Sequence, residues 1–185
     1  MARSRRNLPN SRAIDHFHIP EVRAVGSLDL DLYVLVKTLH VLSAAVLFGT
    51  GAGIAFFMLK GHLSGVPAAR RFAAATTVRA DFLFTLPAVI VQPLSGAWLV
   101  WRGGFDWSDR WLVVTYAVYL LAGACWVPVV ALQMRMKAIL EAEAVIGNLD
   151  EAMLSRLFGW WFALGWPAFG GLLVVFYLMV AKPSW

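Results

Sequence analysis

Residues 32–59 read LYVLVKTLHVLSAAVLFGTGAGIAFFML, and this stretch decides the fold. It exceeds the ~20 apolar residues needed to cross a bilayer core, and its one full charge is Lys37. The apolar residues come as a block rather than at amphipathic spacing, so the segment offers no face to water. Three more stretches read alike: FLFTLPAVIVQPLSGAWLVW at 82–101, WLVVTYAVYLLAGACWVPVVALQ at 111–133, and the run at 157–180. The expectation is an all-α integral membrane four-helix bundle, a single domain over residues 31–183, with spans near 32–59, 82–101, 111–133 and 157–180.

The whole composition agrees. The chain is 60% hydrophobic and 15% charged, with a mean hydropathy of +0.68, where soluble domains carry about 45–50% apolar and about 25% charged residues. The net charge of +5 does not point to nucleic acid, because Lys and Arg sit in the tail and between apolar runs with no basic stripe among exposed aromatics. Cys125 is the single cysteine, which excludes an intrachain disulfide and a cysteine-based metal site.

Outward from the spans, residues 1–30 form an Arg-rich tail with Pro9 and Pro20, read as mobile. The Arg5–Arg6 pair lacks the apolar region of an export signal. Pro87 and Pro93 are expected to kink the second span, which neighbouring helices tolerate by satisfying the freed carbonyls. Residues 134–156, with mixed charge and helical propensity, read as an amphipathic extension and loop at the membrane surface. Trp98, Trp101, Trp107 and Trp111 flank one turn, and Trp160, Trp161 and Trp185 bracket the last span, as an interfacial belt requires. Both membrane sides are basic; with the far tail discounted, the count leans towards the two longer loops being cytoplasmic, in a bacterial inner membrane.

Polar residues inside spans are costly and tend to mark function. At 1.5 Å per residue, His40 lies roughly 13 Å into the first span, and the same depth on the others reaches Gln92, the neighbourhood of Tyr116 and Tyr119, and Gly170–Gly171. Lys37 stands three residues from His40 and shares its face. Each residue also has a plainer role. Lys37 can snorkel to the interface, His40 can bond Gln92 or Tyr119, Gln92 can repair the Pro93 kink, and the tyrosines can simply pack. Gly49 and Gly53 permit close helix contact. Asp81 reads as a structural partner of Arg79, Lys60 or Arg135. No phosphate loop, HExxH pair or nucleophile elbow occurs.

Tyr33-xxx-Lys37-xx-His40, Gln92-Pro93-Leu94-Ser95-Gly96, Cys125-Trp126-Val127-Pro128 and Met179-Val180-Ala181-Lys182-Pro183 together resemble an uncharacterised bacterial family described only as predicted integral membrane proteins, over residues 31–183. More distantly, the Lys-xx-His pattern and four-helix size are similar to the HemJ protoporphyrinogen oxidases and to CopD-like membrane domains. That resemblance implies haem b, with His40 as axial ligand to the iron and Lys37 as a nearby charge for a propionate, substrate or proton step. Gln92, Tyr116 and Tyr119 would line the same layer. No second histidine lies within a span, so the sixth position would be open, filled by Met or Tyr, or supplied by a homodimer or membrane partner subunit. The function expected on this basis is electron transfer or a haem-linked oxidation. Two other classes stand beside it: a small proton- or metal-coupled transporter using Lys37, His40 and Gln92, and a non-catalytic membrane scaffold or partner subunit.

Overall fold

The structure, a computed structural model, describes residues 20–183, with side chains from residue 29 onwards. Four long helices make up the described chain: α1 (Pro20–Leu63), α2 (Pro67–Gly103), α3 (Arg110–Ile146) and α4 (Glu151–Ala181). Each is long and apolar enough to cross a membrane, and the chain is an all-α membrane bundle. Residues 1–19 of the Arg-rich tail lie outside the described residues, whereas residues 20–30 belong to α1.

The helices outrun the apolar stretches that announce them. Residues 67–80, read as part of a polar connection, are the first turns of α2, and residues 134–146 are the last turns of α3. Both carry charged residues, but nothing in them breaks a helix, and backbone hydrogen bonds favour continuing past the lipid boundary. At 1.5 Å per residue those 14 residues of α2 add roughly 20 Å. The result is a polar cap on the side where α1 ends, built from the ends of α1 and α3 and the starts of α2 and α4.

The cap is packed like a soluble core. Met58, Ala74, Met136, Leu140 and Leu154 are all below 5% exposed and form one cluster with Val129 and Trp161. Ion pairs fasten its rim: Arg70 grips Glu151 through both carboxylate oxygens at 2.7 and 3.0 Å, and Arg71 meets Glu143 at 3.3 Å. Exposed pairs of this sort contribute about 0–1 kcal/mol each, so the apolar burial dominates. Chain reversals follow local chemistry. Gly104 and Gly147 end α2 and α3 at φ of 66° and 72°, which costs a residue without Cβ nothing, and Asp150 caps α4 by accepting from the Met153 N–H at 2.9 Å.

α3 and α4 form the most extensive helix pair; α1 packs on α2, and the first half of α2 on α3. α1 and α4 meet only sparsely. Three aromatic contacts hold that seam: Phe48 stacks on Phe169 with centroids 4.9 Å apart and meets Phe176 edge-on at 5.8 Å, and His62 stacks on Phe158 at 3.8 Å.

Within α2, Asp81–Thr85 is a π-helical turn closed by the Leu86 N–H bonding the Asp81 carbonyl. It lies directly before Pro87, where a bend is expected from the missing N–H.

Candidate functional site

His40 and Gln92, placed at one depth by residue counting, do meet. The His40 Nδ1 lies 2.8 Å from the Ser95 hydroxyl. With the Gln92 amide turned to suit its neighbours, its nitrogen stands 2.8 Å from the same Nδ1 and its oxygen accepts from the Ala44 N–H at 3.2 Å. Gly96 lets the ring lie against α2: a Cβ there would come within 3.2 Å of the imidazole Cε1. These groups knit a polar seam between α1 and α2.

The other members of the expected layer part company. Lys37 and Tyr116 are exposed on the outer surface, so the shared inward face does not form. Tyr119 points inward and donates to the Val89 carbonyl at 2.7 Å. That carbonyl lies four residues before Pro93, which has no N–H to offer it; the tyrosine supplies the missing donor. Gly171 packs closely on α3, where a Cβ would meet Val118 and Ala122 at 3.3 and 3.4 Å.

The main cavity lies elsewhere, between the two halves of the bundle, with a volume of about 410 Å³. Gly51, Ala52 and Ala55 of α1 and Gly165 of α4 leave the room, and Tyr119 closes the wall towards the His40 seam. His40 does not border it. The lining is almost wholly apolar apart from Tyr119, the Trp161 indole of α4 and one cluster, consisting of Asp81 and Thr85 from the π-turn and Trp126 and Gln133 from α3.

That cluster lies deep and is poorly satisfied. Asp81, Thr85 and Gln133 are 3, 6 and 1% exposed. Thr85, Trp126 and Gln133 surround the Asp81 carboxyl, whose Oδ1 accepts from the Trp126 indole N–H at 3.3 Å. The four buried side-chain polar atoms without a hydrogen-bond partner among the described residues are Asp81 Oδ2, Thr85 Oγ1, Gln133 Oε1 and Trp161 Nε1, and all four residues line this cavity. Asp81 is therefore not the surface ion-pair partner expected of it. No Lys or Arg among the described residues reaches it, and Arg79 and Lys60 are themselves exposed.

The cavity has an opening. Of its lining residues only Ala55, Phe162 and Trp166 are exposed, and they stand on α1 and α4. The gap lies along the sparse seam, framed by the Phe48–Phe169 and His62–Phe158 stacks. Its rim is apolar and belongs to helices immersed in lipid.

Asp81, Thr85, Gln133 and Trp161 are absent from the residues singled out by depth. The pattern that would have found them is Asp81-xxx-Thr85 on one span and Trp126 with Gln133 two turns on, each placing two polar groups on one helix face.

A family described as "Predicted integral membrane protein (DUF2269)" matches residues 34–183. No curated protein and no solved structure matches the chain.

Proposed function

We propose, for a chain that belongs to the DUF2269 family of predicted integral membrane proteins, that it is a membrane-embedded binding protein whose cavity holds a lipophilic guest by its polar end. One observation carries this reading: the unpartnered buried polar atoms are collected on a single cavity instead of being scattered. Each such atom costs about 1–3 kcal/mol, a cost that a guest bearing donors and acceptors offsets. A cavity of about 410 Å³ falls in the usual small-molecule range of about 300–1,000 Å³, and an apolar wall with a few convergent polar groups is the usual composition of such sites.

The residues around His40 fit haem poorly. The ring lies against Gly96 of α2, His40 does not border the cavity, and Lys37 faces outward. Metal-coupled transport finds no support either, since no three His, Cys, Asp or Glu side chains among the described residues group to hold an ion.

Trp126, Trp161 and Trp166 line the cavity and report on it. In detergent or nanodiscs, a bromoalkanol is expected to quench tryptophan fluorescence saturably, and Gly165→Phe, which fills open space beside the lining, to abolish the saturable part. Quenching that rises without saturation and equally in both proteins would mean partition into lipid alone and end the proposal. A His40-dependent Soret band in the same preparation would instead favour haem.

A further inference from the structure

The hydrogen-bonding inventory of the cavity narrows the class of guest, on the reading that the cavity binds one. Three of the four unpartnered atoms are acceptors or can act as acceptors: Asp81 Oδ2, Thr85 Oγ1 and Gln133 Oε1. Thr85 and Gln133 both stand beside the Asp81 carboxyl, so the three are gathered round one point. The carboxyl has only neutral donors around it, the Trp126 indole at 3.3 Å and the Thr85 and Gln133 side chains beside it, and no cationic partner among the described residues. A negative group desolvated in this way is expensive unless charge and hydrogen bonds are both supplied.

Different head groups meet that demand unequally. An alcohol brings one donor and no charge. A quaternary ammonium brings charge but no N–H. A carboxylate or phosphate adds repulsion. A primary ammonium has three N–H donors and one positive charge, matching three acceptors and one carboxyl, and charge-assisted bonds are roughly twice as strong as neutral ones. Everything else in the lining, and the rim of Ala55, Phe162 and Trp166 facing lipid, is apolar, which demands a hydrophobic body delivered from the membrane.

We infer that the guest is a lipophilic primary amine, its ammonium seated on Asp81, Thr85 and Gln133 and its hydrocarbon body in the apolar remainder of the cavity.

Displacement of the bound bromoalkanol tests this separately from the binding reading itself. Dodecylamine is expected to relieve quenching at concentrations at least about tenfold below dodecanol, given the strength of hydrogen bonds to charged groups. Dodecyltrimethylammonium should fall near dodecanol, dodecanoate should be weaker still, and butylamine should fail. Asp81→Asn keeps the shape and removes the charge, so whatever its own affinity for the bromoalkanol, its preference for amine over alcohol should fall to about twofold. Equal potency of dodecylamine and dodecanol, a preference that survives Asp81→Asn, or a quaternary ammonium as potent as the primary one would each overturn the inference while leaving a binding cavity in place. If the bromoalkanol itself does not bind, both readings fall.

Discussion

Tyr119 shows how much one side chain carries when it completes another's deficit. Pro93 leaves the Val89 carbonyl without its helical partner, and the Tyr119 hydroxyl reaches across from α3 at 2.7 Å to fill it. Tyr119→Phe strands that carbonyl in the interior and should cost about 1–3 kcal/mol. Pro93→Ala restores an N–H at the right place, so the double variant should recover much of the loss; thermal unfolding in detergent measures all three. Additive losses would show that the tyrosine matters for packing alone. The sequence marked Tyr119, His40 and Gln92 because polar groups at mid-span stand out against lipid. It did not mark Asp81 or Gln133, because a charged or amide residue at the end of an apolar run is ordinarily solvated, and only the fold shows these two turned inward at 3 and 1% exposure. Lys37 fails in the opposite sense: sharing a helix face with His40 says which residues are neighbours, not that the face has room for both inside.

The π-turn is the element on which the polar cluster depends. Within it Asp81 and Thr85 are buried while Phe82, Leu83 and Phe84 are exposed. A π-turn amounts to one residue more than the α-helix needs. Deleting Leu83, 66% exposed, should let the helix close into regular α geometry with the flanking faces still in register. The expected outcome is a protein as thermally stable as the parent that has lost most of its preference for dodecylamine over dodecanol, because the carboxyl has lost its position. An amine preference kept at the parental level would separate the turn from the site, and collapse of the fold would show it to be structural. The spans themselves were legible since hydrophobicity alone selects them, whereas the π-turn at 81–85 was not. The cap helices were not, because charged, amphipathic residues at 67–80 and 134–146 read equally well as surface segments. Their continuity with the spans comes from packing around Met136, Leu140 and Leu154.

Across the whole molecule the two ends differ in kind, and that asymmetry predicts its orientation. The side where α1 ends carries the helical cap with Lys60, Arg70, Arg71, Arg79, Arg135, Lys137 and Arg156, whereas the opposite side has Arg102, Arg110 and Lys182 at its span ends, with Arg23 and the other tail arginines farther out in sequence. Basic residues close to span ends are retained in the cytoplasm, so the cap should lie there and the α2–α3 turn across the membrane. Single cysteines introduced into a Cys125→Ser background test this with a thiol reagent that does not cross lipid. Ser64→Cys and Asn148→Cys lie in the two connections of the cap, and Ser108→Cys in the opposite turn. In intact cells only Ser108→Cys should be labelled, and in inverted vesicles only the other two. The reverse pattern would keep four spans but invert the protein. If Ser108→Cys and Asn148→Cys were labelled together, α3 would not cross, and the cavity that α3 walls with Tyr119, Trp126 and Gln133 could not lie within the bilayer. The orientation also decides the aspect Asp81 presents: it sits at the cap end of the cavity, so a guest drawn in from lipid would hold its polar end towards the cytoplasmic side.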